Sequence, residues 1–241
     1  MISFIIPTLK EEKVIEKILR NLREIKTLEY EIIVSDGGST DRTLAIARGL
    51  ADKVVENTSG QRQTIGQGRN EGAKAARGEI LVFLDADVHV PEPDKFFTRA
   101  LWWFQRDPKL LGLSGWVRVF PEIETWADIL GYLILSDWSF YVLNNWLHVG
   151  STCGELQIVK KDAFMKLGGY REHLAAAEDK DLFYRLSKLG HTRTDPKLLV
   201  YHTGRRPRAI GWPRLLWEWS RDSLHLTFRD RSHSKEWKVI R

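Results

Sequence analysis

Short apolar runs alternate with amphipathic segments over the first half of the chain. Four runs rich in β-branched residues end in turn-forming or acidic residues, which is typical of buried strands. They span residues 2–8, 31–38, 53–56 and 79–87. The segments between them carry apolar residues at helical spacing, at residues 11–26, 41–50 and 65–76. This alternation predicts an α/β fold with a mixed, mostly parallel central sheet.

The second half of the chain is less regular. Strands are predicted at residues 113–120, 156–160 and 198–202, and helices at residues 126–147 and 179–189. A Trp-bearing amphipathic stretch follows at residues 210–228. Neither a linker nor an internal repeat is visible, so we expect residues 1–241 to form a single domain.

The amino-acid composition indicates the compartment in which the protein is expected. The one cysteine, Cys153, cannot form an internal disulfide, which favours a cytoplasmic protein. The N-terminus reads as a buried strand because it lacks a basic lead-in and a cleavage site. The most apolar stretch, residues 126–149, is interrupted by two Asp and two Asn, so it is not expected to span a membrane.

The positive charge is concentrated at the C-terminus. The net charge is +5, and residues 204–241 hold ten Lys or Arg against four acids. This basic, Trp-rich C-terminal segment suggests contact with phosphate, a membrane surface or nucleic acid. A solvated basic face is the alternative.

Polar side chains follow three of the predicted strands, at Thr8, Asp36 and the pair Asp85 and Asp87. In a parallel sheet, ligands bind beyond the carboxyl ends of the strands. Carboxylates at positions i and i+2 of an extended chain project to the same side, so Asp85 and Asp87 are suited to hold one Mn²⁺ or Mg²⁺. An isolated Asp-x-Asp more often caps a turn, so this assignment depends on its surroundings.

Those surroundings resemble the family 2 glycosyltransferases of the GT-A fold. The motifs are "IIPTLKEE", "IVSDGGSTD", "GQGRNEGAKAARGE" before "FLDADVHVP", and "KKDAFMKLGGYREHLAAAEDKDLFYRLSKLG". The resemblance implies a Rossmann-like α/β/α sandwich. It also implies metal-dependent, inverting transfer of a sugar from a UDP- or GDP-sugar to an acceptor. The acceptor group is a hydroxyl or a lipid phosphate, and the acceptor is a glycan or a lipid-linked molecule.

The resemblance also assigns residues to roles. The implied nucleotide-sugar-binding residues are Pro7, Thr8, Glu11, Asp36, Gly38, Arg69, Asn70, Asp85, Ala86, Asp87 and Arg205. The implied metal ligands are Asp85, Asp87 and His202. Simpler interpretations exist for some of these residues: Arg69 on a helix surface, His202 as a structural His, and Arg205 in a solvated loop.

The same resemblance names Asp179 as the general base, with Glu178 beside it. A carboxylate is needed there because the acceptor hydroxyl must lose its proton as it attacks. The alternative is that these acids only favour the start of a helix, which applies to Asp181 more than to Asp179. By this interpretation residues 1–112 bind the donor, and residues 113–203 form the acceptor and catalytic half.

Several alternatives stay open. A non-enzymatic nucleotide- or nucleic-acid-binding protein would account for the basic segment, although we expect no nucleic-acid partner. A nucleotidyltransferase is disfavoured because "PTLKEE" replaces a Gly-rich loop. Peripheral association with the cytoplasmic membrane face is suggested by Trp212, Trp217 and Trp219 among several Arg. Six further Trp either line a sugar groove or belong to the core: Trp102, Trp103, Trp116, Trp126, Trp138 and Trp146.

Overall fold

A seven-stranded sheet forms the centre of the computed structural model, which describes residues 1–229. The strands are β1 Ile2–Thr8, β2 Tyr30–Asp36, β3 Lys53–Glu56, β4 Ile80–Leu84, β5 Leu110–Val119, β6 Leu156–Lys160 and β7 His191–His202. Their order is β3-β2-β1-β4-β6-β5-β7, and β6 is antiparallel to both of its neighbours. The other neighbouring pairs are parallel, which confirms the expected mixed, mostly parallel sheet.

Helices cover both faces of this sheet. They are α1 Ile15–Leu22, α2 Thr43–Leu50, α3 Ile65–Ala75, α4 Pro93–Arg106, α5 Trp126–Tyr132, α6 Ser139–Asn145, α7 Lys161–Lys166, α8 Glu178–Ser187, α9 Arg205–Ile210 and α10 Trp212–Arg229. A π-helical segment, Leu133–Trp138, joins α5 to α6. Within residues 1–229, no helix combines the length and the apolar character that crossing a membrane requires.

The alternation of side chains along the strands creates two cores. In β1, Phe4 and Ile6 pack against α1 and α4 on one face, whereas Ile5 packs against α3 on the other. All three are fully buried. The result is the three-layered α/β/α sandwich that the family resemblance implies.

Some elements differ from the sequence prediction. The first helix begins at Ile15, not at residue 11, because Val14 has a non-helical φ of −125° and residues 12–14 form a turn. Helix α4 was not predicted. The predicted helix over residues 126–147 is divided by the π-helical segment, and β7 begins at His191 instead of residue 198.

Close packing of α3 on the sheet positions one wall of the site described below. A Cβ added at Gly72 would lie 2.5 Å from Ile5 Cγ2, so this position requires glycine. The helix consequently lies tight against β1, with Arg69 one turn earlier. Thr8 and Asp36 are partners in the β1–β2 register, so the carboxyl ends of these strands lie side by side.

Candidate active site

A cavity of about 480 Å³ opens beyond the carboxyl ends of β1 and β4. Most of the predicted site residues line it, from both halves of the chain. They are Pro7, Thr8, Glu11, Arg69, Asp85, Ala86, Asp87, Glu178, Asp179, His202 and Arg205. The fold therefore brings distant sequence motifs into one concave site, which is where an α/β sheet is expected to bind a ligand.

Asp85 lies on the cavity floor, directly after β4. Its Oδ1 accepts a hydrogen bond from Arg69 Nη2 at 3.0 Å, and the side chain is 27% exposed. Desolvation in the cavity raises the pKa of Asp85 to about 6, against the opposing charge of Arg69; the neighbouring carboxylates Glu155 and Asp87 also raise it. The site thus concentrates negative charge where a cation would be stabilised.

Asp87 is held by residues that follow β7 in the chain. Thr203 Oγ1 donates a hydrogen bond to its Oδ2, and Arg205 Nε lies 3.2 Å from the same oxygen. Arg205 also donates two hydrogen bonds to the Glu11 carboxylate, at 2.8 and 3.0 Å. This bidentate pair links the first loop to the start of α9, so Arg205 is a fixed wall of the cavity.

His202 ends β7 beside these acids. Its ring packs edge-on against Tyr132 at 5.0 Å, and its Nδ1 lies 3.9 Å from Glu155 Oε1. Burial lowers the pKa of His202, so the ring is neutral near pH 7, as a metal ligand must be. Its buried Nε2 has no hydrogen-bond partner among the described residues.

The predicted ligands do not form a closed metal cage. Among residues 1–229, no group of three or more His, Cys, Asp or Glu is arranged to hold a metal ion. Arg69 and Arg205 instead contact the carboxylates of Asp85 and Asp87. The pair of carboxylates still fits one hard cation, because Mg²⁺ and similar ions commonly use one or two carboxylates and complete their coordination with substrate phosphates and water.

Arg69 is fully buried and joins the two halves of the site. Its Nη1 donates to Glu178 Oε1 at 2.8 Å, and its Nη2 donates to Asp85 and to the Gly154 carbonyl at 2.8 Å. The alternative of a surface arginine is therefore wrong. Its side chain connects the acid after β4 to the acid at the start of α8.

Glu178 and Asp179 begin α8 and face the cavity. The preceding residue, Ala177, has a left-handed backbone with φ 62°, an arrangement that sharp turns at functional sites often adopt. Burial raises the pKa of Glu178 to about 7, with a further contribution from the charge of Asp179. Burial also raises the pKa of Asp179, against the opposing charges of Lys180 and Arg69.

Three predicted binding residues do not line the cavity: Asp36, Gly38 and Asn70. The Asp36 carboxylate is buried and accepts hydrogen bonds from Thr8, from Ser39 and from the Gly38 amide. These hydrogen bonds shape the loop after β2.

Asn70 likewise points away from the cavity. Its side chain donates to the Tyr170 carbonyl at 2.9 Å and accepts from the Tyr170 amide at 2.9 Å. Asn70 thus fixes the Gly-Gly-Tyr turn against α3.

Comparison with known proteins agrees with this geometry. The model of glycosyl transferase family 2 matches residues 3–168. The chain belongs to this family. Residues 3–168 include the Asp85–Asp87 pair, and the lining residues after residue 168 come from the loop before α8 and from α8, β7, α9 and α10.

Relatives of this family 2 member are known by sequence. A dolichyl N-acetyl-alpha-D-glucosaminyl phosphate 3-beta-D-2,3-diacetamido-2,3-dideoxy-beta-D-glucuronosyltransferase from Methanococcus voltae is 36% identical over 132 residues, covering 50% of this chain and 40% of that protein. Succinoglycan biosynthesis protein ExoA from Rhizobium meliloti is 29% identical over 234 residues, covering 89% of this chain and 66% of that protein. The chain thus spans about two fifths to two thirds of these relatives.

The fold also matches a solved structure of the GT-A type. The mannosyltransferase PcManGT from Pyrobaculum calidifontis, solved in complex with GDP-Man and Mn²⁺, superposes with a TM-score of 0.68 at 25% identity. The match covers 84% of this chain and 56% of that one. The expected GT-A fold is therefore confirmed.

The family 2 motifs did not indicate every residue of the site. Glu155, Thr203 and Tyr132 contact or surround the predicted acids, yet none belongs to a motif quoted above. Glu155 immediately precedes the antiparallel strand β6, and burial raises its pKa. Thr203 directly follows His202, and this adjacency to a predicted ligand was the one signal in the sequence.

Proposed function

We propose that this chain transfers a sugar, with inversion, from a UDP- or GDP-sugar to a hydroxyl or phosphate of a lipid-linked or glycan acceptor, in a reaction that depends on a divalent cation. The observation that carries the proposal is one cavity lined by the Asp85–Asp87 pair, by Asp179 and by buried Arg69. Complexes of PcManGT with GDP-Man and Mn²⁺ and the dolichyl phosphate-linked sugar named for the archaeal relative support this choice of ligand classes.

Asp85 and Asp87 would hold the cation, and His202 offers a neutral imidazole nitrogen beside them. Mn²⁺ or Mg²⁺, when bound with the donor, would stabilise the negative charge of the departing diphosphate. Pro7, Thr8 and Glu11 form the wall of the cavity on the β1 side, where we place the nucleoside. Arg205 closes the cavity from α9 and is close enough to Asp87 to support the diphosphate end.

Asp179 would act on the acceptor. Its raised pKa, caused by burial, makes it a stronger base than an ordinary Asp. A carboxylate oxygen there accepts the proton of the acceptor hydroxyl as the hydroxyl oxygen bonds to the anomeric carbon and the bond to the diphosphate breaks. A single displacement of this kind inverts the anomeric centre. Glu178, bound to Arg69, would position the start of α8.

Asp179→Asn tests the assignment of the base. We expect the variant to bind nucleoside diphosphate with Mn²⁺ like the wild type, whereas transfer falls by about 10²- to 10⁴-fold, the usual contribution of a general base. Asp181→Asn is the matched control on the same helix, since Asp181 pairs with Arg185 at 2.7 Å. Transfer at the wild-type rate by the Asp179 variant would remove Asp179 from the mechanism.

The donor base is tested separately. Thermal unfolding of the wild-type protein is followed with UDP, GDP and their sugars, with and without Mn²⁺, because a ligand that binds the native state raises its stability. A Tm increase with one nucleotide, larger with Mn²⁺, identifies the donor. No increase with any of them contradicts the proposed donor class.

A further inference from the structure

An apolar surface lies on the outside of α5 and the π-helical segment. Every fourth residue from Trp126 to Trp138 is a large, exposed hydrophobic side chain. The exposed fractions are 82% for Trp126, 57% for Leu130, 56% for Ile134 and 48% for Trp138. We call this surface, with the aromatic residues described next, the aromatic face.

The aromatic face continues along α6. The Trp138 ring lies 5.8 Å from Tyr141, and Tyr141 lies 6.1 Å from Trp146, which is 66% exposed. Leu147 and Val149 are exposed just beyond it. These side chains make a contiguous apolar surface. Such a surface usually marks a site of interaction with another protein or a membrane.

Charge is absent from the surface of this segment. Residues 126–149 contain no Lys, Arg or Glu, and both Asp residues are buried. Asp128 accepts hydrogen bonds from Thr125 and from Trp212 Nε1, and Asp137 accepts one from the Val117 amide. Among the side chains of this segment that the structure describes as exposed, His148 is the one polar residue.

Positive charge borders the aromatic face. Arg208 on α9 is exposed, donates to the Ile123 carbonyl at 2.6 Å just before α5, and lies 3.7 Å from the Asp128 carboxylate. Arg214 on α10 is also exposed and pairs with Glu218 at 3.1 Å. Residues 204–229 contain six Arg and two acids. An apolar, Trp-rich surface with a cationic border matches the interfacial region of an anionic bilayer in both polarity and charge.

We propose that the aromatic face docks on the surface of an anionic phospholipid bilayer, with its Trp and Tyr rings at the level of the headgroups. The helices would lie in the plane of the interface, as amphipathic interfacial helices do. This inference goes beyond the proposed function and does not depend on it.

The position of the surface differs from the sequence prediction, which relied on Trp212, Trp217 and Trp219. Trp212 packs against Tyr132 at 5.1 Å, and Trp219 lines the cavity, so only Trp217 of these three is strongly exposed. The inward side of the aromatic segment also borders the active site, because Tyr132 and Phe140 line the cavity. Docking would thus place the cavity wall beside the lipid surface.

Vesicle flotation of the full chain without donor tests the proposal. Vesicles of phosphatidylglycerol with phosphatidylcholine are compared with vesicles of phosphatidylcholine alone. We expect the anionic vesicles to bind the wild type, and the double variant Trp126→Ser, Trp138→Ser to bind at least about tenfold more weakly, because two exposed apolar anchors are lost. Trp102→Ser is the matched control, since Trp102 is an exposed Trp on α4 that lies outside the aromatic face.

Circular dichroism of each variant is the control for folding. We expect all variants to be folded, because the substituted side chains are exposed. Unchanged vesicle binding by the double variant would overturn the proposal, as would loss of binding with Trp217→Ser alone. A wild-type dimer that dissociates in the double variant, without vesicle binding by either protein, would also overturn it by assigning the face to a second copy of the chain. Donor binding is measured separately, so failure here leaves the proposed function standing.

Discussion

Replacing Arg69 by Met removes a cation that hydrogen-bonds to both Asp85 and Glu178. The side chain of Arg69 is fully buried, and its partners are 27% and 7% exposed. Methionine fills much of the same volume but takes the guanidinium away from both carboxyl groups. The perturbation therefore isolates the electrostatic link between the two halves of the site.

The expected cost follows from this burial. Removing one partner of a buried ion pair typically destabilises a protein by about 3–5 kcal/mol. Arg69 lowers the pKa of both acids, so both pKa values rise further in the variant, from about 6 for Asp85 and about 7 for Glu178. Folded-state pKa values above the unfolded values mean that stability is lost as pH rises. The destabilisation should therefore be largest near pH 8 and shrink towards pH 5.

Urea unfolding followed by Trp fluorescence at several pH values measures this effect. The control is Arg20→Met, which breaks an exposed pair with Glu16 at 2.8 Å and should cost at most about 0.5 kcal/mol at every pH. If the free energy of unfolding of the Arg69 variant falls by less than about 1 kcal/mol at pH 8, or if the decrease does not depend on pH, Arg69 does not link the two acids electrostatically.

Two further predictions concern stability and the cavity floor. Burial raises the pKa of Asp137 to about 7, so its ionisation destabilises the fold as pH rises through 7. In Asp137→Asn, the side chain can still accept a hydrogen bond from the Val117 amide, so urea unfolding should show the variant to be more stable than the wild type at pH 8 but not at pH 5. Identical pH profiles for the two proteins would contradict this. In Gly154→Ala, the new methyl would lie 3.3 Å from Arg69 Nη2, 3.7 Å from Asp85 Oδ2 and 3.9 Å from Asp179 Oδ2. We expect transfer to fall at least about tenfold, because the methyl occupies the space between the two acids and crowds Arg69. Full activity would show that no reacting group binds between these acids.

Local patterns along the chain were sufficient to predict much of the fold. The apolar runs of β1, β2 and β4 are short and bounded by turn residues, and their parallel direction could be inferred from alternation with helices. The position of Asp85 and Asp87 could be predicted because an acidic pair that directly follows a buried strand lies at the carboxyl end of that strand. Helix α4 was not predicted, although Phe96, Phe97 and Phe104 form its buried side after Pro93.

The remaining features depend on contacts between distant residues. No local sequence pattern shows that the Asp36 carboxylate accepts hydrogen bonds from its own turn, or that Arg69 is buried between two acids. Glu155 enters the site because β6 inserts antiparallel between β4 and β5. The exposure of Trp126 and Trp138 likewise follows from which side of the segment packs inward, which the apolar composition alone does not indicate.

We propose that Asp85 and Asp87 together bind a divalent cation that also contacts the donor diphosphate. Isothermal titration of UDP and GDP, with and without Mn²⁺, measures this in the wild type and in Asp85→Asn and Asp87→Asn. We expect Mn²⁺ to tighten binding of one nucleotide by about tenfold or more in the wild type and hardly at all in either variant. Equal enhancement by Mn²⁺ in all three proteins would show that these two aspartates do not hold the cation.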